Sequence, residues 1–132
     1  MALRAIVTML CGVGLYASVF MLRKGAAAAR GELAEPSVVQ TPRARLFGGV
    51  PNAWIGAYYY PALGLAIWLA TDRSELLILF LAALTAAGVS VVLAYSLLFV
   101  TRMPCVYCWT SHVVNWALAV ALTVLVINPI CC

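Results

Sequence analysis

Two cysteines stand three positions apart at the start of an apolar run: Cys105 and Cys108, within "RMPCVYCWTSH" (102–112). On a helix this spacing puts both sulfurs on one face, close enough to form a disulfide. The amides at a helix N-terminus favour a thiolate and so make a sulfur there nucleophilic. The pair therefore suits dithiol redox chemistry. Three alternatives compete with it. Attachment of a c-type haem needs His directly after the second Cys, where this chain has Trp109. Zinc wants four ligands, and Cys105, Cys108 and His112 supply at most three. No metal site is expected. Inert packing is the third alternative, because free cysteines fill apolar interiors well. Spacing alone leans towards redox over packing.

The remaining cysteines read differently. Cys11 lies in the middle of an apolar run, where a thiolate is disfavoured, and is expected to be a small core residue. Cys131 and Cys132 are terminal and open to several readings, lipidation among them. Asn52 and His112 are polar residues near the pair in expected depth. Polar groups inside a membrane are costly, so each is a candidate for function or for wetting by headgroups.

The elements that must position these residues are membrane helices. Hydrophobic residues make up 66% of the 132-residue chain and charged residues only 9%; the mean hydropathy is +1.06. A soluble domain would need more polar surface, so the class is an all-α integral membrane protein in contact with lipid. The net charge of +4 does not imply nucleic acid, since the basic residues lie between apolar segments, at headgroup depth. Four apolar segments, 5–22, 53–71, 76–101 and 105–128, each approach the roughly 20 residues that cross a bilayer. The first is expected to be a retained span and not a cleaved leader: Arg23 and Lys24 follow it directly, with no small-residue cleavage site. "TDRSE" (71–75) ends the second, and "TRMP" (101–104) ends the third, with Pro104 suited to the first turn of the next helix.

The connection 23–52 is long, which in a compact protein marks function or disorder. Its first half, "RKGAAAARGELAE" (23–35), reads as a short helix or a mobile stretch. Its second half mixes Val38, Val39, Leu46, Phe47 and Val50 with Pro and Gly, and is expected to pack over the bundle mouth. Small residues recur at helical steps: Ala83 and Ala87, Ser90 and Ala94, with Gly88 between the pairs, and Gly56, Tyr60 and Gly64. Such rows let helices approach closely in lipid. Trp54, Tyr58, Tyr59, Tyr60, Tyr107 and Trp109 gather near one face as an aromatic belt. Trp54 and Tyr59 are also candidates to line a pocket for a planar ring. With four spans, the long loop and the Cys105 end of the fourth helix share one side of the membrane. Cys131 and Cys132 then lie about 35 Å away, at 1.5 Å per residue, out of reach of the pair.

The chain resembles the vitamin K epoxide reductase family, which includes bacterial and archaeal disulfide-forming members. The resemblance spans nearly the whole chain. It rests on "GLYA" (14–17), "TPRARLFGGVPNAWIGAYYY" (41–60) and "AYSLLFVTRMPCVYCWTSHVVN" (94–115), including Asn115. It implies one membrane domain over 1–132, a four-helix bundle around a quinone pocket, capped by the loop. It further implies that Cys108 passes electrons to the quinone and that Cys105 exchanges with incoming thiols. Asn52 and His112 would bind the quinone carbonyls, with the Thr41 hydroxyl near the pocket. The expected activity is a quinone-coupled thiol–disulfide oxidoreductase in a prokaryotic cell membrane. Its acceptor would be ubiquinone, menaquinone or a similar quinone, and its partner a thioredoxin-like or other thiol protein. The competing reading is a non-catalytic four-helix membrane subunit that binds a quinone or a partner.

Two features depart from the family pattern. The family carries a second cysteine pair in the long loop; counting back from Phe47, Glu35 stands where the nearer loop cysteine would be. A carboxylate cannot exchange disulfides, which leaves direct attack by a partner thiol, a relay on a separate subunit, or lost turnover; direct exchange is the expected route. Orientation is the second. The family resemblance puts the Cys pair on the extracytoplasmic side. Yet Arg23, Lys24, Arg30, Arg43, Arg45 and Arg102 share its side, against Arg4 and Arg73 opposite, which argues for the cytoplasm. Hyperthermophiles, whose cytosol is disulfide-rich, would accommodate such an inverted member.

Overall fold

The computed structural model describes residues 1–46 and 49–128, so Phe47, Cys131 and Cys132 lie outside the described residues. Four helices carry the chain: α1 (Ala2–Ala29), α2 (Asn52–Leu69), α3 (Arg73–Tyr95) and α4 (Val106–Ile127). Three of the described helices are long and apolar enough to cross a membrane: Ala2–Ala29, Arg73–Thr101 and Val106–Ile127. The second segment expected to span, α2, is not among them. Asn52, three consecutive tyrosines, Pro61 and two tryptophans dilute its aliphatic content.

The first helix runs further than expected at both ends. The stretch 23–29 extends α1, because alanine is the best intrinsic helix former. The helix then stops in a hydrogen-bonded C-terminal motif. The Glu32 amide donates to the Ala27 carbonyl at 3.0 Å and the Gly31 amide to the Ala28 carbonyl at 3.1 Å. Gly31 supplies the positive φ of 73° that this geometry requires. The rest of the connection folds through two 3₁₀ turns, Val38–Gln40 and Pro42–Ala44. A two-residue antiparallel pairing of β1 (Arg45–Leu46) with β2 (Val50–Pro51) then leads directly into α2.

Helices α1 and α2 run antiparallel, in contact from Arg4–Ala70 at one end to Ser18–Gly56 at the other. At one end the Arg4 guanidinium donates to the Ala70 carbonyl at 2.9 Å, and the Trp68 indole N–H to the Thr8 hydroxyl at 2.9 Å. Further along, the glycines expected to permit close approach do so. Cys11 packs on Gly64, the Tyr60 ring fills the space above Gly14, and Ser18 fills that above Gly56. Cys11 is buried there as a small core residue. On α3, Ala83, Ala87, Ser90 and Ala94 are buried, whereas Gly88 faces open space and takes no part in close packing. Helix α4 packs on both α1 and α3.

Any side chain at Gly14 would collide with the Tyr60 ring. Gly14→Val is therefore expected to lower stability by about 1–3 kcal/mol. Unfolding in detergent measures this; a midpoint equal to that of the unaltered protein would show that the helices do not depend on this approach.

Candidate active site

The α3–α4 connection sets up the site. After Tyr95 the helix widens into a π-helical turn, Ser96–Thr101, where the sequence suggested an unbroken third helix to Thr101. Such turns are frequent at functional sites. Arg102 then takes a left-handed conformation, φ 50° and ψ 32°, which reverses the chain. Pro104 falls just before the helix and not in its first turn. The N-cap of α4 is Cys105 itself, whose sulfur accepts the Cys108 amide at 3.2 Å.

Cys105 and Cys108 form a disulfide with a Cα–Cα distance of 5.3 Å. Both residues are half-buried, beside the exposed Pro104 and Val106. The Met21 sulfur of α1 lies 3.9 Å from that of Cys105. Tyr107 stacks on Phe20 at 3.7 Å between ring centroids, which fixes the start of α4 against α1.

Beneath the pair lies a cavity of about 760 Å³ walled by all four helices and by part of the 23–52 connection. That is within the range of about 300–1,000 Å³ of small-molecule sites. Cys108 lines the cavity and Cys105 does not. Val38, Val39, Arg43, Ala44, Arg45 and Pro51 contribute from the connection.

One wall is held by a chain of hydrogen bonds. The Tyr60 hydroxyl donates to Asn115 Oδ1 at 3.0 Å, and Asn115 Nδ2 donates to the Ser90 hydroxyl at 2.7 Å. These residues tie α2, α4 and α3 together. Tyr60 was expected in the aromatic belt, but it is 2% exposed and belongs to the core. Tyr58 is 71% exposed and does suit a belt.

Four residues on the cavity wall carry a buried polar atom with no hydrogen-bond partner: Asn52 Oδ1, the Tyr59 hydroxyl, Ser96 Oγ and His112 Nδ1. Three of the four residues were singled out by sequence. Asn52 is oriented by its own amide, which donates to the Arg43 carbonyl at 3.2 Å and leaves Oδ1 unpaired. His112 packs between Trp109 and Trp116, one turn away on either side. Trp54 lines the cavity while remaining 47% exposed. Thr41 is not brought to the wall. Its hydroxyl donates to the Val38 carbonyl at 2.7 Å and so closes the turn that presents Val38. Ser96 was missed, because a serine within "AYSLLF" carries no signal until the π-helical turn displaces it.

The vitamin K epoxide reductase family model matches residues 5–123, and the chain belongs to that family. No curated protein matches the chain by sequence. Membership makes it a membrane oxidoreductase of the quinone-linked thiol–disulfide class. The site fits that chemistry in three respects: a redox-capable sulfur pair, an apolar cavity large enough for a ring, and unpaired polar atoms on its wall.

Tyr60→Phe and Ser90→Ala each remove one bond to Asn115 and should each destabilise by about 0.5–1.5 kcal/mol. Because both act through one side chain, the double variant should depart from additivity by at least about 0.5 kcal/mol. Unfolding of the two single variants and the double variant tests this; strict additivity would mean that the three residues do not form one network.

Proposed function

We propose that the chain oxidises the thiols of a partner protein at Cys105–Cys108 and hands the electrons to a membrane quinone. The single observation behind this reading is the division of the disulfide, with Cys108 on the cavity wall and Cys105 off it. A partner thiolate arriving beside the exposed Val106 attacks Cys105, and Cys108 leaves as a thiolate facing the cavity. A second partner thiol then resolves the mixed disulfide, releasing an oxidised partner and the Cys105 thiolate. The Cys108 amide that bonds Cys105 Sγ in the disulfide can stabilise that leaving group. A bound quinone would supply the two-electron sink, taking two electrons and two protons from the Cys105–Cys108 dithiol and so restoring the disulfide.

Tyr59 and His112 are suited to donate hydrogen bonds to ring oxygens, and Asn52 Oδ1 to accept one from a reduced ring. Donors aimed where negative charge builds up favour electron transfer to the ring. Trp54 would flank the ring on the open side. Thr41 would act indirectly, by holding the Val38 turn. The connection 23–52 would form a lid of this site, and 1–132 would be one functional unit. We read α2 as a fourth span, since its contacts with the spanning α1 run from Arg4–Ala70 to Ser18–Gly56. The loop contains no cysteine, which favours direct exchange with a thioredoxin-like or other thiol protein.

Purified protein given dithiothreitol and a quinone should reduce the quinone, and Cys108→Ala should abolish this. Cys108→Ser should instead trap the partner as a mixed disulfide on Cys105. Absence of quinone reduction by the unaltered protein would favour a non-catalytic binding subunit.

The membrane orientation follows from charge. Arg23, Lys24, Arg30, Arg43, Arg45 and Arg102 lie towards the Cys105 end, and Arg4 and Arg73 at the other, so by charge the pair would face the cytoplasm, against the extracytoplasmic side that the family resemblance implies. An impermeant maleimide should then label reduced Cys105 in broken cells only. Labelling in intact cells would place the pair outside.

A further inference from the structure

The two sulfurs of the disulfide stand in different surroundings. Cys108 is on the cavity wall and Cys105 is not, although the two are joined. Something must therefore lie between Cys105 and the cavity, and α1 supplies it. Ser18, Met21, Leu22, Gly25 and Ala26 form the stripe of α1 that walls the cavity, at helical steps of three and four. Ser18, Gly25 and Ala26 are small, so Met21 and Leu22 carry the bulk of the stripe. Met21 meets both sides: it lines the cavity, and its sulfur lies 3.9 Å from that of Cys105. The neighbouring Phe20 ring stacks on Tyr107 and holds this part of α1 against the first turn of α4.

A separator has a chemical use here. A quinone is an electrophile as well as an oxidant. A thiol adds to a ring carbon: the sulfur's electron pair makes the S–C bond, and the ring takes up the thiol hydrogen as it becomes a hydroquinone thioether. Cys108 must meet the ring to pass its electrons. Cys105 need not, and a Cys105 capped in this way could no longer exchange with a partner.

Resting on the quinone-reductase reading above, we infer that Met21 is a positioning residue that screens Cys105 from the ring. It reserves Cys105 for protein thiols and leaves Cys108 as the sulfur that meets the quinone. An unbranched thioether suits the place, since its flexible chain can follow the sulfur pair as the disulfide opens and closes.

The full chain carrying Cys108→Ala, in lipid nanodiscs, leaves Cys105 as the single thiol of the pair. The probe is 2-decyl-1,4-benzoquinone, which stays in lipid and has free ring carbons. Mass spectrometry of the Cys105 peptide measures the rate of addition. Adding Met21→Ala should speed it about tenfold, which corresponds to a barrier lowered by about 1.4 kcal/mol. Met21→Leu, of similar bulk, should keep the slow rate, and Met21→Val, with less reach, should fall between. If Met21→Ala fails to assemble, Met21→Val against Met21→Leu carries the comparison. Excess tetramethyl-1,4-benzoquinone, which has no free ring carbon, should fill the cavity and suppress the faster addition. A hydrophilic maleimide arriving from the aqueous side should label Cys105 equally in all variants. An unchanged rate in the smaller variants, a fast rate with Met21→Leu, no effect of the tetramethyl ring, or a parallel rise in maleimide labelling would overturn the screen. Any of these leaves the quinone reading standing if the protein with both cysteines reduces the probe from dithiothreitol. If it does not, that reading fails and takes this inference with it.

Discussion

The hydrogen-bonded chain from Tyr60 through Asn115 to Ser90 is the interaction on which the site depends. Within an apolar bundle a polar side chain needs an internal partner, and this chain satisfies three residues at once. It also settles the spacing of the helices. Tyr60 reaches Asn115 because its ring lies over Gly14, where α1 and α2 come close. Asn115 in turn reaches Ser90 across the α3–α4 contact. The cavity lies beside this bridge, which keeps α2 and α3 linked while leaving room between them.

Against that satisfied network, the four unpaired atoms on the same wall stand out. Asn52 Oδ1, the Tyr59 hydroxyl, Ser96 Oγ and His112 Nδ1 have no hydrogen-bond partner, and other contacts orient the residues that carry them. Asn52 is steered by the Arg43 carbonyl, His112 by two tryptophans, and Ser96 by the π-helical turn. Such preorganisation means that little ordering is required when a ligand arrives. The sulfur pair sits at the edge of the same space, with one sulfur on each side of the boundary.

Much of this was legible in the sequence, for identifiable reasons. Helix placement followed from apolar run length, and the α1–α2 approach from glycine spacing at 56 and 64. Cys105, Cys108, Asn52 and His112 stood out because polar or reactive residues are rare in such a chain. What was not legible depends on backbone detail or on which helix faces which. The run 23–29 read as a short helix or a mobile stretch because it is low in apolar bulk, which hid that it continues α1. Tyr60 reads like its neighbours Tyr58 and Tyr59, and only packing over Gly14 separates the three. The π-helical turn has no spacing signature, so Ser96 was not singled out. Thr41 lies in a recognisable motif, yet its hydroxyl is taken up by the local turn.

The two kinds of cysteine in the bundle show what position on a helix does to one side chain. Cys11 lies in the middle of α1, packed against the bare backbone of Gly64. Every amide near it is already bonded within the helix, so nothing there would stabilise a thiolate. Cys105 is chemically the same residue at the N-cap of α4, where amides lack helical partners and one of them bonds its sulfur. Cys108, one turn in, shares that end of the helix and reaches the cavity. The site therefore requires a helix that begins at the cavity mouth. The left-handed Arg102 and the Pro104 that follow the π-helical turn end one helix and start the next at that level. The short stretch from Ser96 to Cys108 thus fixes together the unpaired hydroxyl, the chain reversal and the reactive pair.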